Sequence, residues 1–178
     1  MRIGFSRYFR LIKKKIKITV RRKKNNLMDL TRLFISYVFS FCISTLLLVY
    51  ALRLPTFITQ EKLLVQEYYQ KNAYLYVPLD FILVAIYLAI AALLIWLFRA
   101  TSSNAWQTII VLIVTLIISG LFMGYFLSKP SSSRNFFSRW FHAAGWKAVL
   151  YDMIYVVMVF IIMMQFYYFL TAPLEMAP

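Results

Sequence analysis

Acidic residues are scarce: six Asp and Glu stand against 20 Lys and Arg in 178 residues, and none of the six falls in the first 24 positions. Charged residues of both signs reach only 15%, where a water-soluble domain carries about 25%. A soluble globular enzyme is therefore a poor description of this chain. One cysteine, Cys42, excludes an intrachain disulfide and leaves the redox compartment open. One histidine, His142, cannot assemble a metal site of several His, Cys or carboxylate ligands. Four glycines and five prolines leave no low-complexity linker and no phosphate-cradling Gly-rich loop, and there is no CxxC. No Ser-His-Asp or Cys-His arrangement is available, and Asp152 with His142 is the only candidate acid/base pair. The chain reads as non-enzymatic, with no cofactor and no evident small-molecule substrate.

What is present is segregated. Hydrophobic residues make up 62% of the chain, and the mean hydropathy is +0.72. Eleven of the 20 basic residues lie in Met1–Lys24: Arg2, Arg7, Arg10, Lys13, Lys14, Lys15, Lys17, Arg21, Arg22, Lys23 and Lys24. The remaining residues carry nine bases and six acids, so the net charge of +14 belongs mostly to one tail. Residues 1–32 form a basic N-terminal tail and 33–178 a membrane domain.

Four runs approach the length of about 20 apolar residues that crosses a bilayer as a helix. They are about 33–52, 79–98, 106–127 and 148–170, each fenced by basic residues or proline. Because the runs are continuously apolar, helices are expected rather than barrel strands, which alternate and are shorter. The fold class is all-α, an integral membrane four-helix bundle. The first run lacks a small-residue cleavage site and reads as a retained span.

Between the first two runs, Thr59–Lys71 reads as a short helix with Thr59 as N-cap, a Glu67–Lys71 pair, and Leu63, Leu64 and Tyr68 on an apolar face for a membrane surface or a partner. Residues 100–105 form a tight polar turn, so the second and third spans make an antiparallel hairpin. Before the fourth run, Phe136, Phe137, Trp140, Phe141 and Ala144 fall on one helical stripe, which predicts an interfacial amphipathic helix.

Four spans put both termini on one side, and the basic tail places that side in the cytoplasm. The opposite loops carry Arg53, Lys62, Lys71, Lys129, Arg134, Arg139 and Lys147, so loop charge opposes the tail.

The tail suits anionic lipid headgroups, an acidic protein face, or, third, nucleic acid phosphates. Asp80 and Asp152 are acidic residues in spans, which are costly and often functional. Structural ion pairing with Arg139 and Lys147 is expected for them. A small oligomeric transporter or channel is the alternative, needing Asp80, Asp152 and Gln165 on a common polar path. Gly120 and Gly124, with Ser119 alongside, suit close helix packing. Cys42 reads as a packed core residue. Met153, Met158, Met163 and Met164 read as adaptable packing, and Phe166–Phe169 as an interfacial aromatic belt.

The basic aromatic opening Met1–Lys24, the compact four-span body and the stretch RNFFSRWFHAAGWKAVLYD from Arg134 to Asp152 together resemble the small multi-pass membrane proteins of large icosahedral DNA viruses, whose internal membrane lies beneath a capsid. The resemblance implies a structural virion membrane protein that contacts minor capsid proteins through its tail, and it carries over no catalytic residue. Accessory subunits of organellar membrane complexes are similar in size and composition.

Overall fold

The computed structural model describes residues 28–100, 103–130 and 135–172. The basic tail of eleven Lys and Arg residues lies outside them. The described residues are helical throughout, with no strand among them. Four helices are long and apolar enough to cross a membrane: α1 (Met28–Ala51), α4 (Ala73–Leu97), α5 (Asn104–Leu127) and α7 (Trp146–Thr171). At about 1.5 Å per residue each is roughly 36–39 Å long, against a hydrocarbon core of about 30 Å. Their outer faces remain apolar: Phe34, Ile82, Trp96, Ile117, Leu121 and Phe169 are all exposed. Water would penalise such a surface, and lipid tails would not.

The helices run past the apolar stretches that mark them. The second extends six residues upstream of 79, so Pro78 lies inside α4 instead of fencing it. Proline removes one backbone hydrogen bond there, and the helix continues through it.

Between α1 and α4 the chain forms two short helices rather than one. The last turns of α1, Thr45–Ala51, are widened into π geometry. Arg53 (φ 50°) and Gln60 (φ 63°) adopt the left-handed conformation and bracket α2 (Leu54–Thr59). A non-glycine residue in that region is uncommon, so neither break is signalled by residue type. Thr59 ends α2 instead of capping the next helix. Its hydroxyl donates to the Pro55 carbonyl (2.7 Å) and accepts from the Glu61 amide (3.3 Å). α3 (Lys62–Gln66) follows and widens into a π segment, Glu67–Lys71.

α6 (Phe136–Ala144) is capped by the Asn135 side chain, which accepts from the Phe137 amide at 2.9 Å. Gly145 (φ 55°) then turns the chain directly into α7, a conformation that glycine alone adopts without cost. The apolar stripe of α6 faces protein. Phe136, Phe141 and Ala144 are buried, and Phe137 and Trp140 are partly buried against the same core.

α5 packs most extensively against α7 and then α4. Its buried face is Gln107, Val111, Val114, Thr115 and Ser119, spaced as one helical stripe. Gly120 and Gly124 lie off it. A Cβ added to either would meet nothing within 4 Å, so the glycine pair is not a packing seam within this chain. Cys42 is likewise exposed on α1 and not a core residue. On α1 the packing positions are Ser36, Ser40 and Ser44, all fully buried, where small side chains let helices approach closely.

Candidate functional site

α4 and α7 begin, and α1 and α5 end, at the same end of the bundle, and α3 and α6 cover that end. Beneath this cap lies a cavity of about 250 Å³. Asp80 and Asp152 both line it, together with Tyr68, Tyr69, Tyr87, Tyr151 and Tyr155 and the rings of Phe122, Phe126, Phe136, Phe137, Trp140 and Phe141. Asp80 stands seven residues into α4, Asp152 six into α7, and Ser119 eight before the end of α5. At about 1.5 Å per residue all three are about 9–12 Å inside their helix ends. Since α4 starts at Ala73, Asp80 is beyond the first turn and gains little from the helix dipole.

The two carboxyl groups are not ion-paired. No described Lys, Arg or His lies within salt-bridge reach of either, so the expected pairing with Arg139 and Lys147 is replaced by hydroxyl contacts. Tyr68 donates its hydroxyl to Asp80 Oδ1 at 2.5 Å, and Tyr69 donates to Oδ2 at 3.4 Å. Ser119 donates to Asp152 Oδ2 at 2.7 Å, and the Tyr87 hydroxyl lies 3.4 Å from the Ser119 hydroxyl. Tyr69 also meets the Tyr151 hydroxyl at 3.0 Å, and Tyr155 meets Thr45 of α1 at 2.6 Å. Each contact joins two different elements.

Arg139 forms a two-pronged pair with Glu67, its Nη2 at 2.5 Å from Oε1 and its Nη1 at 3.1 Å from Oε2. The planar guanidinium suits this fork. It locks α6 to the π segment after α3, and Glu67 turns here rather than to Lys71. Tyr68 stacks on Tyr76 (centroids 4.4 Å) and packs on Phe136 (5.1 Å). The latch thus holds the helices whose tyrosines reach Asp80. Lys147 donates to Gln60 Oε1 at 3.3 Å, which ties the start of α7 to the α2–α3 corner. His142 is exposed, with Nδ1 at 2.8 Å from the Ser138 carbonyl, and is not brought to Asp152.

Electrostatics follow from these contacts. The hydrogen bonds from Arg139, and then its charge, hold the Glu67 carboxyl below its usual range. Burial first, and then the Asp80 carboxyl, drive the Tyr68 phenol far above its ordinary value. Tyr69 is raised likewise by burial and then by Tyr151 and Asp80. Both phenols therefore stay neutral donors. Among the described residues no group of three or more His, Cys, Asp or Glu could hold a metal ion.

Sequence reasoning singled out both aspartates and missed their partners. Tyr68 is buried rather than on an outward apolar face, while Leu63 is exposed. The tandem Tyr68-Tyr69, 12 and 11 residues before a membrane aspartate, is the signal that could have found it. Ser119 was noted only beside Gly120. Gln165, which the transporter alternative would draw onto a shared path, is exposed.

The fold and this cavity define a class: an all-helical chain with four potential spans, as a multi-pass membrane protein requires, capped at one end by short helices. No protein-family model, no curated protein and no solved structure matches the chain.

Proposed function

We propose that this is a non-enzymatic structural or assembly protein. Its helical body anchors in a membrane, and its basic tail docks onto a larger assembly. The observation that carries the reading is the division of labour along the chain. Eleven cations are concentrated in Met1–Lys24, while the polar side chains of the body tie helix to helix, as in Arg139–Glu67, Tyr68–Asp80 and Ser119–Asp152. The tail partner is an acidic protein face, with anionic lipid beneath it, and nucleic acid ranks third. The favoured assembly is a virion in which a capsid overlies an internal membrane. An organellar membrane complex is the alternative. In both, the two termini share the side of the docking partner, and α6 lies at the membrane surface with Arg139 toward the headgroups.

Deleting Met1–Lys24 should abolish incorporation into the parent assembly and leave membrane insertion intact. Incorporation that survives the deletion refutes tail docking. Attachment by the tail should also weaken between low and high salt, since charges in water are screened within about 10 Å at 0.1 M.

A second reading, a small oligomeric transporter or channel, is favoured by one observation: Asp80 and Asp152 line one cavity. Asp152→Asn should then stop flux in reconstituted vesicles. Absence of flux with the unaltered protein at every pH removes this reading.

A further inference from the structure

We propose that the cavity between α4, α5 and α7 binds a small organic cation, an alkyl- or arylammonium group, with its nitrogen between Asp80 and Asp152 and its apolar part against the tyrosine and phenylalanine rings. The inference concerns the body alone and is independent of what the tail contacts.

Three observations converge on this ligand chemistry. The first is charge. Two carboxyl groups open into one cavity of about 250 Å³, and no described cation reaches either of them. Asp152, which lines the cavity, accepts one hydrogen bond, through Oδ2. Carboxyl groups placed in a span without a counter-ion are costly, and a bound cation supplies the missing charge. The second is the wall. Tyr87, Tyr151 and Phe136 present aromatic rings, and the faces of such rings attract an ammonium group. A hydrated metal ion gains nothing from such walls and needs more oxygen ligands than two aspartates offer. The third is size. The cavity falls just below the about 300–1,000 Å³ of pockets for drug-sized ligands, which suits a compact ammonium. An anion would face two carboxyl groups, and a neutral apolar guest would leave both unused.

The ammonium has two possible sources, a free amine and the headgroup of an aminophospholipid reaching down about two helical turns. The chemistry is the same, and the surrounding lipid separates them.

The test uses the full chain in lipid nanodiscs and titrates benzyltrimethylammonium by calorimetry. Saturable binding is expected at about 10 µM to 1 mM. Asp80→Asn and Asp152→Asn keep the side-chain shape, and each should weaken binding at least about threefold. Neopentylbenzene, the neutral isostere, should fail to compete. Leu83→Trp fills the cavity while both carboxyl groups remain in the chain and should abolish binding, so the idea stays testable if an Asn variant does not fold. Nanodiscs containing phosphatidylethanolamine, compared with phosphatidylglycerol alone, identify the source. A lower apparent affinity with the amine lipid marks the headgroup as occupant, and equal affinity marks a free amine. The proposal is overturned if there is no saturable binding below about 10 mM, if either Asn variant loses less than about threefold, if Leu83→Trp binds normally, or if the neutral isostere competes equally.

Discussion

The two ends of the bundle solve the same problem, polar side chains in an apolar body, in opposite ways. At the capped end the polar groups reach across elements: Arg139 to Glu67, Tyr68 to Asp80, Tyr69 to Tyr151, Ser119 to Asp152. Toward the opposite end the Tyr37 hydroxyl still crosses from α1 to the Phe81 carbonyl of α4, but serine and threonine hydroxyls turn back on their own helices. Ser36 donates to the Arg32 carbonyl at 2.8 Å, Ser40 to Ser36, Thr108 to Asn104 at 2.9 Å and Thr171 to Tyr167 at 2.8 Å. A bond back to the residue four positions earlier satisfies the hydroxyl in any arrangement of the bundle. A bond between helices is satisfied in one arrangement only. The capped end therefore sets how the helices fit together, and the far end lets them lie close.

This contrast makes the capped end the place where single atoms matter. The largest effect is expected for Ser119→Ala. It deletes the hydrogen bond that Asp152 accepts from protein and creates almost no void. Loss of a bond to a carboxyl group costs about 1.5–3 kcal/mol. Unfolding in mixed micelles with a denaturing detergent should show a fall of about 2 kcal/mol. A change below about 0.5 kcal/mol would mean that Asp152 is held by something other than Ser119 and would break the comparison.

Next in size are the two tyrosine variants that touch Asp80, Tyr68→Phe and then Tyr69→Phe. The Tyr69 hydroxyl bridges Tyr151 and Asp80 (3.0 and 3.4 Å) in a fully enclosed position. Asp80 retains Tyr68, so the cost should be about 1 kcal/mol. Tyr68→Phe removes the shorter 2.5 Å contact and should cost more than Tyr69→Phe in the same assay. The reverse order would show that the Tyr69–Tyr151 contact, not the carboxyl group, organises the cap.

The Arg139–Glu67 latch ranks third because both side chains are about one-third exposed, and exposed pairs are worth about 0.2–1 kcal/mol. Arg139→Gln should cost about 0.5–1 kcal/mol at neutral pH. The pH dependence fixes its origin. The Glu67 carboxyl is held below its usual range in the folded protein. Its contribution is thus fully present above the pKa of the unfolded chain and is lost as pH falls through the lower folded value. The gap between the unaltered protein and Arg139→Gln should close in acid and stay constant from pH 6 to 8. A gap that persists once Glu67 is protonated would assign the effect to Arg139 packing on Phe136 (5.8 Å).

The two ends also differ in how far the sequence discloses them. The spans are legible because a bilayer demands about 20 apolar residues in a row, a requirement written in consecutive positions. The cap is not. Its breaks fall at Arg53 and Gln60, residues with no special liking for the left-handed conformation they adopt. The stripe on α6 is legible as a helix, but periodicity alone does not say whether lipid or protein receives it, and here protein does. On α5 the helical phase decides. Ser119 continues the buried row Val111, Thr115, while Gly120 is turned by about 100° onto an open face. The glycine pair is the more conspicuous pattern, and the single serine beside it makes the contact. Asp80 and Asp152 were found by rarity, whereas their partners come from other helices and are fixed only by packing.

The smallest effects are expected on α1, where they test the contrast most directly. Ser36→Ala and Ser40→Ala remove hydroxyls that bond their own helix, and each should change stability by no more than about 0.5 kcal/mol, since the carbonyl keeps its helical partner. Ser44 differs. Its hydroxyl is fully buried and has no hydrogen-bond partner among the described residues. A buried donor left unmatched is a cost to the folded state, and Ala removes it without changing the close approach of α1 that a small residue permits. Ser44→Ala should therefore be neutral or stabilising by up to about 1 kcal/mol, the opposite sign to Ser119→Ala. A destabilising Ser44→Ala would mean that this hydroxyl, too, reaches across helices, and the division between the two ends would fail at the position where α1 passes from one to the other.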